Sequence, residues 1–121
     1  MLPIDLSGKT ALVTGATGQL GRAIARTLAQ AGASVIIHYL HNADIAESLA
    51  ADTRALGVRS MTAQADVTQW DSIAALRDAC AKGLGLPDII VNNAVIQYQW
   101  LSVLEQPPAD YESQFRSCRA L

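Results

Sequence analysis

Lysine is nearly missing from this chain: Lys9 and Lys82 are the only two among 121 residues. The nine basic residues are scattered and outnumbered by eleven acidic ones, which leaves no basic stripe for a nucleic-acid backbone. Cysteine is equally scarce. Cys80 and Cys118 lie far apart with no CxxC pair, so neither a disulfide framework nor a zinc or other metal site is expected, and a reducing, cytoplasmic compartment is the default. No run of about 18 apolar residues occurs. The opening MLPIDLSGKT carries neither a basic cluster nor a long apolar stretch ending in small residues, so no membrane span or secretory signal is expected. Repeats and low-complexity segments are also absent. What remains is a chain half of whose residues are apolar. At this length roughly two-thirds of the unfolded surface can be buried, enough for one globular domain over residues 1–121.

Hydrophobic patterning divides the chain into alternating elements. TALVTG is a short apolar run closed by glycine, as in a strand buried on both faces. Leu20, Ala23, Ile24, Thr27, Leu28 and Ala31 then recur at helical spacing and are expected to face the core, with Gly32 ending the helix. SVIIHY is a second buried strand. From Asn42 to about Leu56 a helix is expected to turn Ile45, Leu49 and Leu56 inward and Asp44, Glu47 and Arg54 outward, and Gly57 stops it. RSMTAQAD is a weaker strand, followed by Thr68 and Asp71 at capping-box spacing and a helix through Ile73, Leu76 and Cys80. LPDIIVNNA is a fourth strand with Pro87 at its mouth, and EQPPADYESQF opens a last helix with Pro107 and Pro108 near its first turn. Such βα alternation requires a parallel sheet covered on both sides. The expected strand order is 3-2-1-4, the opening part of a doubly wound α/β sheet.

Gly15, Gly18 and Gly21 sit three apart where the first strand meets the first helix. Missing Cβ atoms at such a junction permit a tight turn, close approach of a ligand to the backbone and close packing of helix on strand. The helix also aims unpaired N–H groups and the positive end of its dipole above the strand ends, where an anionic pyrophosphate is the fitting guest.

With TGATGQLG (Thr14 to Gly21), ADV (Ala65 to Val67) and VNNAV (Val91 to Val95) in this order, the chain resembles the short-chain dehydrogenases/reductases from about Leu6 onward. The family's usual fingerprint is TGxxxGxG followed by NNAG. Here Gln19 stands at the middle glycine, Gly18 makes the spacing TGxxGxxG of the family's extended members, and Val95 replaces the last glycine of NNAG. The resemblance implies a Rossmann-type domain that is cut off after the fourth strand and the helix following it. It implies that Thr14, Gly15, Thr17, Gly18, Gln19, Leu20 and Gly21 cradle the pyrophosphate. Asp66 and Val67 would meet the adenine, and Asn92, Asn93 and Ala94 would line the adenosine ribose and brace the sheet. From the residues alone, Asp66 can accept a hydrogen bond from an exocyclic amine or cap the helix that follows, and Asn92 and Asn93 can equally be satisfying loop backbone.

In this fold an acid about 20 positions past the glycines binds the ribose of NAD, and a nearby base favours NADP. Tyr39 occupies the acid's place, and Tyr39, His41 and Asn42 can each donate to a 2′-phosphate. NADP(H) is therefore favoured over NAD(H), although no arginine lies in the turn or directly after the strand. The plain alternative for His38 and His41 is an ordinary exposed loop.

Hydride transfer to a carbonyl needs a proton donor at the developing alkoxide. The family supplies it with a serine on a fifth strand and a Tyr-xxx-Lys pair, whereas the residues four after Tyr39, Tyr98 and Tyr111 are Ala43, Ser102 and Phe115. An active-site asparagine implied by the resemblance would fall near Cys118. The expectation is the cofactor-binding part of a longer, homo-oligomeric oxidoreductase acting on a small alcohol or carbonyl compound, with this chain alone inactive. The alternative is a non-catalytic dinucleotide-binding or regulatory module. A methyltransferase is disfavoured by Tyr39, since such enzymes carry an acid there. Trp70, Tyr98, Trp100 and Tyr111 can line a substrate entrance, but packing is the commoner role.

Overall fold

The computed structural model describes residues 3–95, 102 and 104–119. Tyr98, Trp100 and the side chain of Cys118 lie outside that description. Eight elements alternate along the chain: β1 (Thr10–Val13), α1 (Gln19–Gln30), β2 (Ser34–Tyr39), α2 (Ala43–Ala55), β3 (Ser60–Gln64), α3 (Trp70–Lys82), β4 (Ile89–Val91) and α4 (Pro108–Arg119). The sheet has the order β3-β2-β1-β4, and every pairing is parallel. This is the expected doubly wound order.

The two central strands explain the arrangement. Each is a run of β-branched and aliphatic residues whose side chains alternate between the faces of the sheet. Val13, Val35 and Ile37 point to the face covered by α1 and α2, where they pack on Ala25, Ala29, Ala46, Leu49 and Ala50. Leu12 and Ile36 point the other way, to Ala63, Ala65 and the α3 residues Leu76 and Cys80. Complete burial of Val35, Ile36 and Ile37 contributes about 1.5–3 kcal/mol each. The edge strand β4 is different. Ile89 and Val91 are half-buried and Ile90 is 56% exposed. Asp88 fastens its start, donating its N–H to Thr10 O at 2.8 Å while its carboxylate accepts the Thr10 N–H at 3.0 Å.

Three local expectations are corrected. The face that α1 buries is Gly21, Ala25 and Ala29, with Ile24 and Leu28 half-buried, while Leu20, Ala23 and Thr27 are exposed. Small residues let the helix axis approach the sheet closely, and that contact sets the rotation of the helix in preference to its larger side chains. On α2 the buried positions are Ala46, Leu49, Ala50 and Thr53, for the same reason, and Ile45 and Leu56 stay exposed. The capping box before α3 does not form. Gln69 occupies the N-cap without a side-chain bond to the helix backbone, because Asp66 already binds both the N–H and the hydroxyl of Thr68.

Candidate functional site

The carboxyl ends of β1, β2, β3 and β4 meet at the glycine turn. Its first residue anchors it from beneath. The Thr14 hydroxyl accepts the N–H groups of Asn93 and Ala94, both at 2.9 Å, and donates to Val91 O at 3.3 Å. Thr14 is fully buried, and its side chain supports the turn from inside. The Asn93 amide completes the brace by donating to Thr14 O at 3.1 Å and Gly15 O at 3.2 Å. Asn93 thus satisfies loop backbone and ties β4 to the turn, whereas Asn92 is exposed.

The glycines divide the work. Gly15 has φ +61°, and a Cβ there would lie 2.9 Å from Ala94 Cα. A Cβ on Gly21 would lie 2.4 Å from Gly15 O and 2.7 Å from Ala16 Cα. Both are therefore required by the protein's own packing. Gly18 is not: a Cβ there meets nothing closer than Gly15 O at 3.6 Å, so its missing side chain leaves the outer face of the turn open. Directly behind it α1 begins with no side-chain cap and no acid in its first turn. Its first N–H groups and the positive end of its dipole are available to an anion. Thr17 is half-buried, and Gln19 and Leu20 are exposed beside this face.

His38 holds the turn from the other side. It is buried in β2, not placed in an exposed loop. Its Nδ1 accepts the Gly15 N–H at 3.0 Å, so the proton resides on Nε2, which donates to Ala65 O at 2.7 Å. Burial pushes its pKa below the ordinary value, partly opposed by the bond to Ala65 O, and the ring is neutral. The available signal was a polar ring inside an apolar run, which must find two partners once buried.

Around this centre, Tyr39 ends β2 half-buried, and His41 and Asn42 are exposed in the connection to α2, with Asn42 left-handed at φ +69°. At the end of β3, Asp66 uses Oδ1 to accept the Thr68 N–H at 2.9 Å and its hydroxyl at 2.6 Å. These bonds, with a smaller contribution from nearby His41, hold its carboxyl below the usual range. Val67 is buried, so only its backbone can face a ligand. Trp70 is exposed at the start of α3 and is not a packing residue. Among the described residues no three His, Cys, Asp or Glu side chains gather as a metal site requires.

Residues 9–116 match the family model of the short chain dehydrogenases. The chain belongs to that family. Among short-chain dehydrogenase relatives, versicolorin reductase stcU of Emericella nidulans is 35% identical over 111 residues, covering 92% of this chain and 42% of that protein. The 7alpha-hydroxysteroid dehydrogenase of Escherichia coli K12 is 40% identical over 91 residues, covering 75% of this chain and 35% of that protein. Among solved structures, a dehydrogenase/reductase from Sinorhizobium meliloti superposes with a TM-score of 0.83 at 32% identity, covering 95% of this chain and 45% of that one. Landomycin C-6 ketoreductase LanV, solved with bound NADP and rabelomycin, superposes with a TM-score of 0.79 at 32% identity, covering 94% of this chain and 49% of that one. The chain therefore spans less than half the length of these short-chain dehydrogenases.

Proposed function

We propose that this chain is the dinucleotide-binding part of a short-chain oxidoreductase that moves a hydride between NADP(H) and an alcohol/carbonyl pair. One observation carries the reading: the uncapped start of α1 stands behind a turn whose inner glycines are packed by protein and whose outer glycine, Gly18, is open. That is the arrangement a pyrophosphate needs, with backbone N–H donors and a dipole fixed in place before it arrives. In this reading Thr17 to Gly21 hold the pyrophosphate, while the free oxygen of Asp66 and the backbone of Val67 take the adenine. Asn92 and Ala94 border the adenosine ribose, and Tyr39, His41 and Asn42 surround its 2′ position. Thr14, Asn93 and His38 keep the turn in shape. The bound nicotinamide supplies the hydride chemistry.

Protonation of the substrate oxygen requires a group outside this sequence, which has no Tyr-xxx-Lys pair. The complete enzyme is proposed to be cytoplasmic and homo-oligomeric, and to build its substrate pocket from segments other than these 121 residues. Titrating the 121-residue chain with NADPH and NADH while following its thermal midpoint tests the reading. A dinucleotide at about 100 times its Kd should stabilise the fold by about 2.7 kcal/mol. An unmoved midpoint at millimolar concentrations of both overturns the reading, as does measurable carbonyl reduction by this chain alone for the claim that it is inactive.

A further inference from the structure

The carbonyl of His38 accepts the Ala16 N–H at 3.0 Å, beside the bond from the Gly15 N–H to its Nδ1, so one residue holds two successive amides of the glycine turn. On its other side the ring donates to Ala65 O at 2.7 Å, one residue before Asp66, whose own N–H is taken up by the Ser72 hydroxyl at 2.7 Å. The imidazole therefore spans the two halves of the proposed site, the turn for the pyrophosphate and the β3 end for the adenine. We propose that His38 is a positioning residue that sets these two halves for the dinucleotide, and does so only while its ring is unprotonated, so that binding in acid expels a proton. The inference rests on the dinucleotide-binding reading above.

The two ring bonds leave no freedom in where the proton sits. A backbone N–H can only donate and a carbonyl can only accept, so one ring nitrogen must be bare and the other protonated. A second proton on Nδ1 would point at the Gly15 N–H, and the ring, only 2% exposed, has no solvent to receive either group. The turn would have to open at Gly15. The carbonyl of that residue accepts the Gly18 N–H at 3.3 Å and the Asn93 amide at 3.2 Å, so the disturbance reaches the open, ligand-facing side of the turn.

The surrounding charges do not duplicate this role. Neither β1, β3 nor the turn from Thr14 to Gly21 carries an ionisable side chain. The charged residues of α1 and α2 belong to the opposite face of the sheet, since side chains alternate along β2 and Ile37 points to those helices. On the ring's own face α3 turns the Cys80 thiol inward and leaves Asp71, Arg77, Asp78 and Lys82 exposed. Beyond the strand ends lie Tyr39, the exposed His41 and Asp66, whose bonds to Thr68 keep it ionised in mild acid.

The test is the Kd of ADP-ribose at pH 7.5 and pH 5.0, measured by calorimetry for the unaltered chain and His38→Asn. ADP-ribose carries the adenine and the pyrophosphate but lacks the 2′-phosphate, which itself titrates near about pH 6. His38→Asn keeps an acceptor oxygen where Nδ1 stands and has no proton to gain. The unaltered chain should bind about threefold or more weakly at pH 5.0, and the two values for the variant should agree within about 1.5-fold. A smaller change in the unaltered chain overturns the assignment. So does an equal change in the variant, which would trace to acid loss of the fold. Tighter binding in acid overturns it as well, because charge gained by His41 beside the anionic ligand would then set the profile. If His38→Asn does not melt cooperatively, the imidazole resonances of the unaltered chain decide: saturating ADP-ribose should move the His38 titration to lower pH, and an unmoved titration overturns the role. No binding at pH 7.5 overturns the dinucleotide reading itself, whereas binding with a flat pH profile overturns only the part given to His38.

Discussion

The Nδ1 of His38 accepts the N–H of Gly15 at 3.0 Å, so the left-handed glycine of the turn is held in place by a neutral, buried imidazole. Protonating that nitrogen would set two N–H groups against each other. Because the folded pKa lies below the ordinary 6.5, the unfolded chain takes up this proton first. The contribution of His38 to stability is complete above about pH 6.5 and is lost as the pH falls toward the lowered folded value. Urea unfolding at pH 7.5 and pH 5.5 should show this loss, and His38→Gln should shrink the difference between the two while costing about 1–3 kcal/mol at pH 7.5. An unchanged pH difference in the variant would contradict the proton assignment.

Gly18 and Gly21 should respond in opposite senses to a side chain. Gly21→Ala drives a Cβ to 2.4 Å from Gly15 O and should destabilise the fold by about 1–3 kcal/mol. Gly18→Ser meets no close atom and supplies the side-chain cap that α1 lacks, so it should gain a few tenths of a kcal/mol, roughly 0.3. The new hydroxyl would occupy the N–H groups proposed for the pyrophosphate, and dinucleotide affinity should fall by about fivefold, or ~1 kcal/mol. Thermal melts with and without NADPH measure both effects.

Thr14→Val keeps the volume of the side chain and removes an acceptor shared by two backbone N–H groups. Leaving them unpaired should cost about 2 kcal/mol or more. Asn93→Ala, which removes two bonds to the same turn, should cost about 1–3 kcal/mol. Because both act on one brace, the double variant should lose less than the sum, a difference that chemical denaturation can resolve.

Cys80 is buried against the sheet, and burial raises its thiol pKa. Thiolate is the reactive form, so alkylation of Cys80 in the native chain should be more than about tenfold slower than in urea. Peptide mapping by mass spectrometry, which reads Cys80 separately from Cys118, checks this.

Much of the fold could be read directly from the chain. Buried strands such as SVIIHY are continuous apolar runs, and the crossover lengths left few possible strand orders. The rotation of α1 was not legible, because Gly21 and Ala25 define its buried face by close approach and not by hydrophobicity. His38 was hidden for another reason. Its partners, Gly15 and Ala65, lie 23 and 27 residues away, so no local pattern announces that both ring nitrogens will be satisfied.

The pairing of β4 with β1 has a consequence for the order in which the chain folds. The β1–β2 contact joins Thr10 to Ser34, whereas Ala11 reaches across the sequence to Ile89. Closing the longer loop costs about 1 kcal/mol more in chain entropy, so β4 is expected to dock late. The Thr14 and Asn93 brace exists only once β4 has docked. The dinucleotide site is complete only after that docking, so a bound dinucleotide should slow unfolding while leaving the folding rate unchanged. Stopped-flow kinetics with saturating NADPH would show this as a shift in the unfolding limb alone.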